Sequence, residues 1–235
     1  MATFLFVPGA WHRGWAFDPV RAGLEALGHA VVTPDLPLEA GEATLERWVA
    51  FIGDLAGRQG EPVVLAGHSR GGIVISQVAE TAPRTVRALV YISAFLVPGG
   101  SSINDLVGST PRNEDFAAGL SPTPDGLCLA LTPEAAMATF YNRCPAGLAG
   151  VFARRLVPEP MQPMGATLAL SDDHFGRVPR HYIECTDDLA IPLAQQRAMQ
   201  AALPCATVAT LDSDHTPMLC CPDALVDALH AIAGI

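Results

Sequence analysis

A serine between two glycines carries the strongest chemical signal in the sequence. The segment Gly67–Gly71 reads Gly-His-Ser-Arg-Gly, and apolar stretches precede and follow it. A nucleophile on a sharp strand-to-helix turn has strained backbone dihedrals that hold its hydroxyl clear of the sheet, and the residues two before and two after it must be small. Gly67 and Gly71 meet that requirement, so we predict that Ser69 is a nucleophile.

A serine hydroxyl is a weak nucleophile until a base removes its proton. His215 is the best candidate among the seven histidines, because it lies between the last strand-like run, Thr207–Leu211, and a C-terminal helical pattern. That position predicts a loop at the carboxyl edge of a sheet, where open α/β folds bind their ligands.

The base in turn needs a carboxylate that fixes its tautomer and stabilises the imidazolium. Asp187 and Asp188 follow the apolar run His181–Cys185, and either could serve. The other could form an Asx turn or cap the helix that is predicted after Pro192.

Attack on a carbonyl develops negative charge on its oxygen, and two N–H groups must be aimed at that charge. One predicted donor is the backbone N–H of Arg70, directly after Ser69. The other is the backbone N–H of Ala10, in the loop that follows the apolar run Phe4–Val7.

Short apolar runs that alternate with helical patterns must position these residues. The runs are continuous and bounded by glycine or proline, which is typical of strands buried on both faces of a parallel sheet. Repeated strand–helix units of this kind predict an α/β fold with a six-stranded, mainly parallel, doubly wound sheet. The predicted strands are Phe4–Val7, Ala30–Thr33, Pro62–Ala66, Ala88–Ser93, His181–Cys185 and Thr207–Leu211.

The strand–helix rhythm stops between residues 99 and 177, which are rich in proline and carry short helical patterns around 102–107, 132–141 and 145–156. A long insertion between two strands of such a sheet is typical of a cap over the active edge. We predict a single domain with a core of residues 1–98 and 178–235 and a helical cap of residues 99–177, inserted after the fourth strand.

The cap is expected to supply an apolar substrate pocket, with Trp11 at its entrance and His12 on the first loop near the same edge. The candidate pocket residues of the cap are Leu127, Leu131, Met137, Phe140, Tyr141, Phe152 and Met161.

Composition excludes several classes of protein. The chain has 235 residues, with 14 basic against 24 acidic side chains and a net charge of -10. That balance disfavours a nucleic-acid partner. Every basic residue is an arginine, and the absence of lysine excludes Schiff-base chemistry, a Walker A loop and a Ser–Lys dyad.

The cysteines and apolar runs indicate the environment. None of the six cysteines forms a C-x-x-C pair, so we expect free thiols in a reducing compartment and neither a metal nor a cofactor. The N-terminus lacks the pattern of a signal peptide, and no run approaches the ~18 apolar residues of a membrane span. We expect a cytoplasmic protein without a membrane partner, either a monomer or a homodimer.

Four segments together resemble the plant methylesterase and hydroxynitrile-lyase branch of the α/β-hydrolases. Val7–Trp15 resembles the HGAxHGGW opening of that branch, and Gly67–Gly72 resembles its GHSxGG. Phe175–Cys185 is similar to its FGSVxRxYIxC strand, and Asp214–Leu219 is similar to its catalytic-histidine turn, DHxxML.

This resemblance implies an α/β-hydrolase fold and favours Asp188 over Asp187, because Asp188 falls where the branch keeps its catalytic aspartate. The lyases of the branch carry a threonine and a lysine where this chain has Gly9 and Thr216. The missing cation favours an esterase. Arg70 replaces a residue that is more often apolar, and its side chain could either meet an anionic substrate or turn away into a salt bridge.

We therefore predict a carboxylesterase-like serine hydrolase that cleaves small carboxylic esters through Ser69, His215 and Asp188 and an acyl-enzyme intermediate. One alternative is another use of the same triad, such as lactone opening, polyketide cyclisation or hydroxynitrile-lyase-like carbon–carbon cleavage. The other is a protein of the same fold that binds a small acid without turnover.

Overall fold

A computed structural model describes residues 1–39, 42–108 and 113–234 of the chain. The strands of these residues are, in chain order, β1 (Thr3–Val7), β2 (Ala30–Val32), β3 (Val63–His68), β4 (Val86–Ile92), β5 (Leu120–Pro122), β6 (Cys128–Leu131), β7 (Glu159–Pro160), β8 (Arg180–Cys185) and β9 (Thr207–Leu211). The α-helices are α1 (Asp18–Ala26), α2 (Leu45–Gly57), α3 (Gly71–Thr81), α4 (Ile103–Gly108), α5 (Glu114–Ala118), α6 (Pro133–Thr139), α7 (Ala146–Ala153), α8 (Leu193–Ala202), α9 (Pro217–Cys220) and α10 (Pro222–Ala233).

The main sheet has six strands in the order β2-β1-β3-β4-β8-β9, and every neighbouring pair is parallel. Strand β3 lies at the centre and is buried along its whole length, as its uninterrupted apolar sequence predicts. All six predicted strands are present in this sheet. The prediction of an α/β-hydrolase fold with a doubly wound parallel sheet is confirmed.

Helices cover both faces of the sheet. On one face, Val20 and Leu24 of α1 pack with Leu225 and Leu229 of α10 against the rings of β1. On the other face, α2 and α3 form the second core layer together with Met199 of α8. With both faces covered, the carboxyl edge of the sheet is where side chains meet solvent and substrate.

The insertion between β4 and β8 is not purely helical, contrary to our prediction. Helices α4, α6 and α7 match the three predicted patterns, but the insertion also contains α5 and a three-stranded antiparallel sheet in the order β5-β6-β7. These strands are two to four residues long, too short for a periodic pattern. The turn Thr123–Gly126 between β5 and β6 contains Pro-Asp-Gly, a turn signal that predicts a hairpin. The division into a core and a cap at the stated boundaries stays a prediction.

Within the described ranges, no helix combines the length and the apolar character needed to cross a bilayer.

Candidate active site

Ser69 lies on a strained turn between β3 and α3, with a backbone φ of 52°. The turn requires glycine at two positions. A Cβ on Gly67 would lie 2.7 Å from the carbonyl oxygen of Gly71, and a Cβ on Gly71 would lie 2.5 Å from the carbonyl oxygen of Val7. These contacts are closer than real Cβ atoms make, so the glycines of the G-x-S-x-G pattern are needed for the close approach of strand, turn and helix.

A cleft of about 620 Å³ lies between the carboxyl edge of the sheet and the cap, and Ser69, Asp188 and His215 all line it. They come from the turns after β3, β8 and β9. The three predicted residues, which are distant in the sequence, therefore share one cavity. Ser69 is the central residue of this turn, the elbow Gly67–Gly71, and α3 begins two residues later. The free N–H groups at the N-terminus of α3, which favour negative charge, therefore lie close to Ser69.

His215 is held by a hydrogen bond from its Nδ1 to Oδ2 of Asp188, 2.8 Å long. Both side chains are buried. Because a carboxylate only accepts, Nδ1 is the nitrogen that donates, and in the neutral ring Nε2 is then the nitrogen with the lone pair. This is the tautomer that a general base for a serine hydroxyl needs.

Asp188 makes both kinds of hydrogen bond that the sequence left open between two aspartates. Its Oδ2 faces His215, and its Oδ1 accepts hydrogen bonds from the backbone N–H groups of Ala190 (2.7 Å) and Ile191 (2.8 Å), which close an Asx-type turn. Asp187 instead pairs with Arg143 at the surface.

Two further side chains fix Asp188 and were missed by our sequence analysis. Ser93 donates a hydrogen bond to Oδ2, and Gln196 of α8 donates to the same oxygen at 3.3 Å. Ser93 has a positive φ of 40° and follows the last residue of β4. Its place at the end of a predicted strand was the one available signal.

The predicted oxyanion donors lie on two loops that meet at Ser69. In the described chain, the backbone N–H groups of Ala10 and Arg70 make no hydrogen bond to a protein acceptor, and both residues line the cleft. A Cβ on Gly9 would lie 2.9 Å from Cβ of Ser69. The loop therefore passes directly over the elbow, which is the placement that a second oxyanion donor requires.

The side chain of Arg70 turns away from the substrate space into a buried ion pair. Its Nε donates to Oε1 of Glu159 at 2.8 Å, and one terminal nitrogen donates to the carbonyl of Gly9 at 3.1 Å. The guanidinium lies 4.3 Å from the ring centre of Trp48. Burial raises the pKa of Glu159, and the adjacent arginine opposes that rise. Of the two alternatives for the Arg70 side chain, contact with an anionic substrate or a salt bridge, the structure shows the salt bridge.

Glu159 also holds the loop Gly9–His12 from the cap; we name it the oxyanion loop because it carries the predicted donor Ala10. Its Oε2 accepts the backbone N–H of Trp11 at 3.0 Å. Trp11 has a φ of 61°, and its indole N–H donates to the carbonyl of Leu129 at 2.8 Å. The strained residue after Ala10 is therefore bonded to the cap through both its backbone and its side chain.

His12 supports the same loop from behind and does not line the cleft. Its Nδ1 is 2.8 Å from the carbonyl oxygen of Ala10, and its Nε2 is 2.8 Å from the hydroxyl of Tyr141. A carbonyl only accepts, so Nδ1 donates and Nε2 accepts the tyrosine proton. Burial lowers the pKa of His12 to about 4, which keeps the ring neutral at pH 7.

Of the predicted pocket residues, Trp11 and Phe140 line the cleft, and the ring of Phe140 lies 5.3 Å from that of His215. The structure places the other predicted pocket residues elsewhere. Some pack inside the cap or behind the first loop, and two are exposed on the cap surface, because apolar character alone does not show which way a side chain points. These residues are His12, Leu131, Met137, Tyr141 and Phe152 in the first group and Leu127 and Met161 in the second.

Most of the observed cleft wall was not predicted. It is predominantly apolar, and it comes from the loop after β4, from the cap and from the loop after β8. The additional side chains are Phe95, Asn104, Val107, Asn113, Phe116, Ala117, Leu120, Leu129, Met164, Leu189, Ala190, Ile191, Pro192 and Gln195.

A G-x-S-x-G elbow between a strand and a helix of a doubly wound sheet is characteristic of α/β-hydrolases. The chain matches the "Alpha/beta hydrolase family" over residues 4–228. It therefore belongs to that family, as the four sequence segments predict.

Curated relatives include esterases. Methylesterase 7 of Arabidopsis thaliana is 31% identical over 98% of this chain and 95% of its own length. A pyrethroid hydrolase of Sphingobium wenxiniae is 29% identical over 99% of this chain and 88% of its own. A crystal structure of a pyrethroid hydrolase superposes with a TM-score of 0.87 at 27% identity, covering 100% of this chain and 98% of that one. The predicted enzyme class, a carboxylesterase-like α/β-hydrolase, is confirmed at this level.

Proposed function

We propose that this protein is a serine esterase that hydrolyses small, uncharged carboxylic esters through Ser69, His215 and Asp188. The observation that carries the proposal is the hydrogen bond between Nδ1 of His215 and Asp188, at the same cleft that Ser69 lines. It leaves the second ring nitrogen free to act as a base for the Ser69 hydroxyl, which stands on a strained turn that lines the same cleft.

The reaction proceeds in two halves. The hydroxyl of Ser69 attacks the ester carbonyl while Nε2 of His215 takes its proton, and the N–H groups of Ala10 and Arg70 stabilise the oxyanion. His215 then protonates the departing alcohol, which leaves an acyl group on Ser69. A water molecule that is deprotonated by His215 releases the acid and restores the serine.

The cleft favours an uncharged acyl or alcohol group. Its walls are predominantly aromatic and aliphatic, and the guanidinium of Arg70 is already neutralised by Glu159. A substrate carboxylate would find no arginine among the described side chains of the wall other than this one. The names of the relatives, a methylesterase and a pyrethroid hydrolase, support ester cleavage with an apolar partner group.

Hydrolysis of p-nitrophenyl acetate and butyrate tests the proposal. We expect turnover that Ser69→Ala abolishes and that Ser121→Ala, a change at an exposed serine of β5, leaves intact. Equal turnover by Ser69→Ala and the unaltered protein would exclude the mechanism. Faster turnover of lactones or β-diketones than of these esters would instead favour the other uses of the triad.

A further inference from the structure

Three metal-ligating side chains meet beside the candidate active site without taking part in it. Cys144 lies in the cap between α6 and α7, Cys220 ends α9, and Asp214 directly precedes His215. Their two sulfurs and a carboxylate oxygen all lie within 4.8 Å of one another. The cysteine spacing does not reveal this group, because the three residues come from distant parts of the chain.

The carboxylate of Asp214 is fully buried and has no cationic side chain against it in the described structure. It accepts hydrogen bonds from the backbone N–H groups of Arg143 (3.1 Å) and Thr216 (2.9 Å) and from the Thr216 hydroxyl (3.2 Å). The guanidinium of Arg143 points instead to Asp187 and Asp212 at the surface. A buried carboxylate is costly unless hydrogen bonds and a nearby cation compensate it.

Two thiols and a carboxylate form a donor set that suits Zn²⁺. A tetrahedral zinc ion with bonds of about 2.0–2.3 Å holds its ligand atoms roughly 3.5–3.8 Å apart. Side-chain rotations that move each atom by about 1 Å or less would close the present arrangement to that spacing. Both cysteines are free thiols and only partly exposed.

We propose that Cys144, Asp214 and Cys220 bind one Zn²⁺ ion and that the ion ties the cap to the segment that carries His215. Each thiol loses its proton to solvent as its sulfur–zinc bond forms, so two protons are released for each ion bound. The fourth coordination position is left for water. The site is separate from the nucleophile, and its occupancy does not depend on esterase activity.

The test uses the reduced, full-length protein with Zn²⁺ as the probe, in competition with a chromophoric chelator and by calorimetry. We expect one ion per chain, together with a rise in the melting temperature. Cys144→Ser and Cys220→Ser should each weaken binding by at least about tenfold, since even outer-shell partners of a metal contribute that much. Cobalt in place of zinc should give a thiolate charge-transfer absorption that both variants lose.

Two controls separate this site from other causes. Cys205→Ser changes a cysteine whose sulfur contacts the carbonyl of Leu203, away from the group, and should bind zinc like the unaltered protein. Ser69→Ala should also bind zinc normally, whether or not it retains turnover. Unchanged zinc affinity in both Cys144→Ser and Cys220→Ser, or no binding by the reduced protein, would overturn the proposal.

Discussion

Arg70 and Glu159 form a buried ion pair between the nucleophile elbow and strand β7 of the cap, with 2.8 Å between Nε and Oε1. Glu159 also accepts the N–H of Trp11, and Arg70 also donates to the carbonyl of Gly9. One ion pair thereby connects the elbow, the oxyanion loop and the cap.

Removing one charge of this pair should be more harmful than removing both. Glu159→Leu leaves the Arg70 guanidinium buried without a counter-ion, and we expect a loss of about 3–5 kcal/mol in the free energy of unfolding. The double variant Arg70→Leu/Glu159→Leu should recover part of that loss, because no uncompensated charge remains. Urea denaturation of the two single variants and the double variant measures this coupling. Purely additive losses would show that the two charges do not stabilise each other.

The close approach of the oxyanion loop to the elbow predicts a large effect of one methyl group. A Cβ on Gly9 would lie 2.6 Å from Nδ1 of His68 and 2.9 Å from Cβ of Ser69, so Gly9→Ala should displace the N–H of Ala10. Loss of one such donor costs about 2.7–4 kcal/mol, which is a fall in kcat of roughly 10²–10³-fold with little change in KM. Gly53→Ala is the matched control, since a Cβ there meets nothing within 4 Å in helix α2. A Gly9→Ala enzyme with normal kcat would contradict this role of the loop.

The two neighbouring aspartates should differ sharply in their effect on turnover. Asp188→Asn offers an amide where His215 now donates its Nδ1 proton, which favours the wrong tautomer, and kcat should fall by about 10³–10⁴-fold. Asp187→Asn alters only a half-exposed pair with Arg143 and should change kcat by less than about twofold. Equal losses of kcat in the two variants would contradict the assignment of Asp188, rather than Asp187, as the partner of His215.

Burial of His12 makes folding sensitive to mild acid. Its pKa is about 4 in the folded protein against an ordinary 6.5, so between these values the unfolded chain binds a proton that the folded chain does not. Its contribution to the free energy of unfolding therefore falls as the pH drops from 6.5 towards 4, by about 1.4 kcal/mol per pH unit. His12→Gln lacks this proton uptake. Denaturation at pH 7 and pH 5 should show a smaller acid-induced loss in that variant, whereas equal losses would mean that His12 is not buried as a neutral ring.

Sequence patterns predicted the parts of the fold that depend on local order. The six strands of the main sheet are predominantly apolar runs, and Ser69 and His215 lie in the turns that follow two of them. Parallel strands bring such positions to one edge by geometry alone. The elbow glycines were predicted for the same reason, because their contacts lie within a few residues or on the adjacent strand.

Side-chain contacts between residues far apart in the sequence could not be predicted from such local patterns. The pair of Arg70 and Glu159 joins residues 89 positions apart, and the bond from Ser93 to Asp188 joins residues 95 apart. In the cap, Leu127 and Met161 are apolar yet exposed, and they lie next to the short strands β6 and β7. Hydrophobicity without a regular period indicates that a residue packs somewhere, but not which cavity it faces.

Labelling with a fluorophosphonate, which reacts with activated serines, shows whether Ser69 is the nucleophile and whether His215 activates it. We expect a single adduct, located on the peptide that contains Ser69. The labelling rate should fall at least about 100-fold in His215→Gln, because general-base assistance contributes about 10²–10⁴-fold. An adduct on another residue, or labelling of Ser69 at the same rate in His215→Gln, would contradict these roles.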